Sequence, residues 1–291
     1  MGELYAIGAA VVWAFAVILF KRSVESISPF ALNLFRVGVS LVVFVPLLIL
    51  SRQQLWRPLP WTDYAILAAS GVLGIAVADT FFHRALNRLG AGLTSIVDCM
   101  YSPFIVGFAF LLLGERLSLW QLLGMVLVVT AVLMTSRARL PEGLDRRGLI
   151  MGIIYGVSAM GTMGLAIVWA KPVLERTPVL WATTVRQVST FAFMVPVALL
   201  QPRRRRLLGV FRPATNWRFS VPGALLGSCL ALLLWIGGMK YAQAGAAAVL
   251  NQTSTIFVLL LATLFLREPF TPRKLVAAVL ALGGIALVTL G

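Results

Sequence analysis

Apolar residues in this chain come in long unbroken runs separated by short polar segments, without the period-two alternation of half-buried strands. A helix rising about 1.5 Å per residue needs roughly 20 apolar residues to cross a hydrocarbon core of about 30 Å. Ten runs approach or reach that length, near residues 3–20, 29–50, 62–84, 91–113, 118–136, 149–170, 178–200, 218–239, 245–266 and 271–290. The short alternating segments of a membrane β-barrel are absent. The expected fold class is an all-α integral membrane protein with ten transmembrane helices.

Composition agrees. Of 291 residues, 60% are hydrophobic and 12% charged, and a mean hydropathy of +0.94 excludes a water-soluble enzyme. The excess of 25 Lys and Arg over 10 Asp and Glu would suggest nucleic acid in a soluble chain. Here the basic residues sit between the apolar runs, with no base-stacking aromatics interleaved, so they read as topology signals and the bilayer is the expected partner. Cys99 and Cys229 stand alone within spans, so neither a metal site nor a redox pair is expected, and no nucleotide-binding motif calls for a cofactor. The chain opens Met1, Gly2, Glu3 and runs apolar with no small-residue cleavage site, so the first span is expected to be retained.

The chain also repeats. Lys21, Glu25, Arg36 and Pro46 recur at an offset of 150 as Lys171, Glu175, Arg186 and Pro196. Gly74, Ala91, Gly92 and Glu115 recur at 153 as Gly227, Ala244, Gly245 and Glu268, which places three added residues in the loop after the seventh span. Charged, Gly and Pro positions that hold one offset across several spans point to two five-helix units, 1–140 and 141–291, that together form one unit. Five is odd, so the second unit enters the membrane upside down relative to the first. Loop charge fits: the side of the termini carries 6 basic residues, Arg52, Arg57, Arg116, Lys171, Arg176 and Lys240, while the opposite side carries 17. The positive-inside rule puts the basic side in the cytoplasm and both termini outside.

The segments "LLLGERLSLWQLLG" at 111–124 and "LFLREPFTPRKLVA" at 264–277, preceded by "ALNRLGAGLTS" and "GMKYAQAGAAA", resemble the drug/metabolite transporter superfamily, specifically its ten-helix EamA-type carriers. The resemblance extends over essentially the whole chain and is greatest to bacterial carriers that export aromatic amino acids. It implies a multi-pass exporter of the bacterial inner membrane, with amino acids, aromatic and other neutral ones, as substrates.

Inverted repeats place a substrate near mid-bilayer, between the units. Trp13 and its 150-offset partner Met163 fall there, as do Tyr101 and Ser102 beside Pro103; Tyr155, Trp169 and Trp235 add aromatic surface at other levels. Such walls suit a large apolar side chain, although each aromatic alone fits helix packing equally well. A zwitterion also needs donors and acceptors, which Asn251, Gln252 and Ser254, with Tyr101 and Ser102, could supply; the same residues could instead bond helix to helix. Intramembrane charge is costly, so Arg36, Asp79, His83 and Asp98 are candidates for a polar cluster that closes the cytoplasmic side. In the other repeat the counterparts are Arg186 and Asn251, with Leu232 where Asp79 stands. Gly71, Gly74, Pro103, Pro222, Gly223 and Gly227 are candidate hinges, with close helix packing as the competing role.

Other functions fit less well. A proton-coupled drug pump of this superfamily would want a buried acid in the first span, where Glu3 sits only at the edge, and a phosphorylated solute would want more cations than Arg36 and Arg186. Export of another small metabolite or drug on the same scaffold is the alternative. An intramembrane enzyme would have one histidine, two isolated cysteines and two aspartates outside any recognisable motif. A ten-helix unit could work alone as a monomer.

Overall fold

The computed structural model describes residues 2–54, 56–114, 118–135, 145–213, 217–241 and 250–290. Within them the chain is helical: α1 Gly2–Val24, α2 Pro29–Leu50, α3 Trp61–Gly71, α4 Ala78–Asp98, α5 Tyr101–Leu113, α6 Leu119–Thr135 and α7 Arg146–Arg176. There follow α8 Val179–Leu200, the short α9 Arg204–Leu208, α10 Trp217–Ala224, α11 Leu232–Tyr241, α12 Ser254–Leu266 and α13 Pro272–Leu290. Two π-helical turns, Val72–Val77 and Leu225–Ala231, join α3 to α4 and α10 to α11. Among the described residues six helices are long and apolar enough to cross a membrane: Leu4–Val24, Pro29–Leu50, Trp61–Asp98, Arg146–Arg176, Val179–Leu200 and Trp217–Gly238. Tyr101–Leu112, Leu119–Met134 and Leu250–Leu266 are shorter apolar helices. Glu115, Arg116, Arg137, Arg139, Ala244 and Gly245, used above for the repeat and the loop charge, lie outside the described residues.

Local chemistry sets the ends. The Ser28 hydroxyl accepts from the Ala31 N–H ahead of Pro29 at the start of α2, and the Asp145 carboxylate accepts from the Gly148 N–H at the start of α7. The expected loop between the third and fourth spans is absent as a loop: helix continues through 85–89, and the chain turns at Gly90 alone. Its φ of 80° is one that side-chain-bearing residues rarely adopt. The Glu268 carboxylate fills the space beside it, accepting from the N–H groups of Ala91 (2.6 Å) and Gly92 (3.0 Å) while facing Lys274 at 3.5 Å. It thereby anchors the start of a helical segment to the loop before α13.

The expected fourth span, 91–113, is likewise interrupted after Asp98, where Cys99 and Met100 make tight bonds to the carbonyls of Ile96 and Val97. Pro103 has no N–H to offer the Cys99 carbonyl one turn back, which suits a break there. The ninth span nonetheless breaks at Thr253, where Ile256 replaces the proline. The break therefore belongs to the architecture, and Pro103 only accommodates it.

Packing is reciprocal between the halves. α1 lies against α10, the Leu225–Ala231 turn, α11 and α12, whereas α7 lies against α3, the Val72–Val77 turn, α4 and α5; α2 packs on α8 and α6 on α13. Glycines permit the closest crossings. A Cβ on Gly71 would stand 2.4 Å from the Arg186 carbonyl oxygen, and one on Gly227 would stand 2.8 Å from the Phe20 ring. Large apolar side chains such as Val42, Leu50, Leu119 and Leu200 face outward, as lipid contact requires.

Candidate functional site

Where α1, α2, α4, α5, α7, α8, α11, α12 and the two π-helical turns converge, they line a partly open cavity. A π-helical turn bonds each residue one place further along than an α-helix does, and such turns recur at functional sites. Each holds one of the paired glycines, Gly74 or Gly227, against the cavity. The walls are aromatic and thioether: Trp13, Phe82, Tyr101, Met160, Met163 and Trp235. Trp13 lies 5.6 Å from Phe82, and Tyr101 lies 6.3 Å from Trp235, centroid to centroid.

The polar groups are few and buried. Arg36 Nη2 meets Asp79 Oδ2 at 3.0 Å, and both side chains are 5% exposed. The same guanidinium donates from Nε to Ser228 Oγ at 2.7 Å and lies 5.2 Å from the Phe20 ring centre. Arg36 of α2 thus reaches the π-helical turn of the opposite half, and Asp79 at the start of α4 supplies its counter-charge. Arg186, from the matching place on α8, reaches the other turn: its Nη2 lies 3.2 Å from where a Gly74 Cβ would stand. Among the described residues no carboxylate pairs with it and its Nε has no partner. Gln187 is fully buried with both amide atoms unpartnered, as is the Tyr101 hydroxyl.

Most expected site residues meet here. Trp13, Tyr101, Met163, Asn251, Gln252 and Ser254 all line the cavity. Ser102 is buried beside it, outside the lining, with an unpartnered hydroxyl. Tyr155 is elsewhere: it packs on Phe81, and the guanidinium groups of Arg84 and Arg88 lie 5.4 and 5.6 Å from its ring centre.

Of the expected gate, Arg36, Asp79 and Asp98 face the cavity, whereas the His83 side chain does not. The His83 ring packs edge-on between Phe20 and Phe82, and Nδ1 contacts the Asp79 carbonyl. Asp98 makes no ion pair among the described residues, and its Oδ1 has no partner. Among the expected hinges, Gly71, Gly74, Gly223 and Gly227 sit at close helix crossings, and Pro103 and Pro222 lie within α5 and α10. Sequence reasoning missed Gln187, Met160 and Phe82 as lining and Ser228 as the partner of Arg36. Arg186, named from the sequence as the 150-offset counterpart of Arg36 but not as a site residue, lines the cavity as well.

The model of the EamA-like transporter family matches this chain twice, over residues 1–137 and 150–290. An uncharacterized transporter of Archaeoglobus fulgidus is 24% identical over 93% of this chain and 91% of its own length. The uncharacterized transporter YetK of Bacillus subtilis is 23% identical over 98% of this chain and 86% of its own. Protein PecM of Dickeya dadantii is 24% identical over 75% and 71%. A solved structure superimposes with a TM-score of 0.69 over 99% of this chain and 96% of its own, at 20% identity, and so shares the fold. The cavity thus lies in a scaffold whose relatives are named for moving solutes, and the chain belongs to the EamA-like transporter family: it is a multi-pass membrane transporter and not an enzyme.

Proposed function

We propose that the protein is a secondary carrier that exports amino acids, aromatic and other neutral ones, across a bacterial plasma membrane by alternating access through the central cavity. The observation that carries this reading is the cavity itself, with aromatic and methionine walls around a small buried polar set that includes both a cation and carboxylates. Apolar walls take a large side chain, and the polar set takes a zwitterion's two charges without a large net charge.

Two inverted units, 1–140 and 141–291, supply the motion in this reading, and the two family matches and the reciprocal packing of α1 and α7 support it. Loop charge supports termini on the periplasmic face. The Arg36–Asp79 pair, with Asp98 nearby in the lining, is the polar contact proposed to close one side, and the glycines of the two π-helical turns are the proposed pivots. A monomeric carrier is part of this reading.

Counterflow tests the proposal. Purified protein in liposomes preloaded with unlabelled phenylalanine is expected to accumulate labelled phenylalanine, and aspartate is not expected to compete. Running it with and without a pH gradient separates proton coupling from facilitated exchange. Failure of every neutral amino acid to exchange would overturn the substrate class, and exchange of a different metabolite would favour the alternative carrier reading. Asp98→Asn with unaltered transport in both directions would remove Asp98 from the gate.

A further inference from the structure

The two halves bring the same residue to the cavity in different electrical states. Arg36 is neutralised by Asp79 and held by Ser228. Arg186 is equally buried, at 4% exposed, yet the position corresponding to Asp79 is Leu232, an apolar residue of the cavity wall. Nor is there a second Ser228, since its counterpart at the same offset is Ile75.

Among the described residues Arg186 makes no direct ion pair, and Asp79, already bonded to Arg36, reaches it only at longer range; a buried guanidinium so placed is costly, and it persists where a ligand or solvent answers it. Here a ligand has room, because the group lines the cavity and rests on Gly74, where any larger side chain would crowd it. Gln187 and Tyr101 add further unpartnered polar atoms to the same space. The planar fork of arginine matches a carboxylate with two parallel bonds. Among the described residues one cation of the cavity lining lacks a direct ion pair, which suits a monoanionic group and is too little for a polyphosphate.

We propose that Arg186 binds the carboxylate of the transported solute, with Gln187 and Tyr101 as supporting donors, while Arg36, already neutralised, takes no part in binding. Asp98, with an unpartnered oxygen in the same cavity, leaves an acceptor for an ammonium group, so an α-amino acid finds both complements. The assignment deepens the amino-acid reading and rests on it.

Trp13 and Trp235 line the cavity, so their fluorescence reports occupancy in the purified full-length protein. Three probes share a phenyl group: phenylalanine, 3-phenylpropionate without the amine, and 2-phenylethylamine without the carboxylate. Wild type is expected to bind phenylalanine at least about tenfold more tightly than 2-phenylethylamine. Arg186→Gln is expected to weaken phenylalanine by about tenfold to a hundredfold and to leave 2-phenylethylamine nearly unchanged. Arg186→Lys should recover part of the loss.

Leu232→Asp keeps the arginine but supplies the missing counter-charge, and it should depress carboxylate binding similarly, so a folding defect in one variant does not decide the outcome. Phenylalanine binding of wild-type strength in both Arg186→Gln and Leu232→Asp would overturn the assignment, as would failure of all three probes to bind wild type. Arg186-dependent binding of 3-phenylpropionate without binding of phenylalanine would instead sink the amino-acid reading and keep the anchor. Normal counterflow of phenylalanine by Arg186→Gln would sink the anchor and keep the reading.

Discussion

Arg36 and Arg186 occupy matching places on α2 and α8, are both 4% exposed, and each reaches a π-helical turn of the other half. One meets a carboxylate and a hydroxyl, the other a glycine and open cavity. The two arginines match in offset and burial, and their partners differ. Two positions 150 residues apart are equally buried, and a few residue differences, Asp79 against Leu232 and Ser228 against Ile75, separate the arginine that is paired from the one that faces the cavity without a direct ion pair.

The strongest way to break this contrast is to make the first half electrically like the second. Asp79→Leu removes the counter-charge of a buried guanidinium, for which a cost of about 3–5 kcal/mol is expected. The purified variant should melt well below wild type in the same detergent. Because the penalty comes from the orphaned charge, Arg36→Leu combined with Asp79→Leu should recover most of it. Equal melting of Asp79→Leu and wild type would show that the pair carries no stability.

Next in size is Gly71→Ala. Its Cβ would lie 2.4 Å from the Arg186 carbonyl oxygen, a backbone atom that cannot swing aside, so α3 and α8 must part at a cost of about 1–3 kcal/mol. Gly74→Ala meets the mobile end of Arg186 at 3.2 Å and the Ala166 methyl at 3.1 Å, which predicts a smaller melting shift but a larger loss of phenylalanine affinity. If the two variants changed stability and affinity in the same ratio, the separation of scaffold from binding group at this crossing would be wrong.

How far this arrangement could be read beforehand depended on the kind of signal. Helices were legible because each long apolar run has one economical conformation in lipid, with every backbone group bonded inside its own segment. The cavity was legible in part: Trp13, Met163, Tyr101, Asn251, Gln252 and Ser254 were chosen by depth, and depth along a helix follows from residue number. The facing direction does not follow so simply. Tyr155 turns toward Arg84 and Arg88, and His83 wedges between Phe20 and Phe82, because rotation about the helix axis is settled by neighbours from distant sequence. The π-helical turns left no mark in residue preferences, being set where Gly74 and Gly227 meet a crossing element. Gly90 misled in the other direction, since one residue with a positive φ replaces a whole expected loop.

The smallest effect sharpens the comparison most finely. Ser228→Ala deletes one hydroxyl and leaves the Arg36–Asp79 pair in place. Loss of a single buried hydrogen bond predicts destabilisation of about 1 kcal/mol, well below that of Asp79→Leu. The bond also ties α2 of one half to the π-helical turn of the other, so a cycle that moves the halves against each other must strain or break it. Counterflow by Ser228→Ala is therefore expected to be no slower than wild type, with phenylalanine affinity unchanged. If the affinity fell as it does for Arg186→Gln, Ser228 and Arg36 would belong to the binding site, and the division between a structural and a ligand-binding arginine would fail.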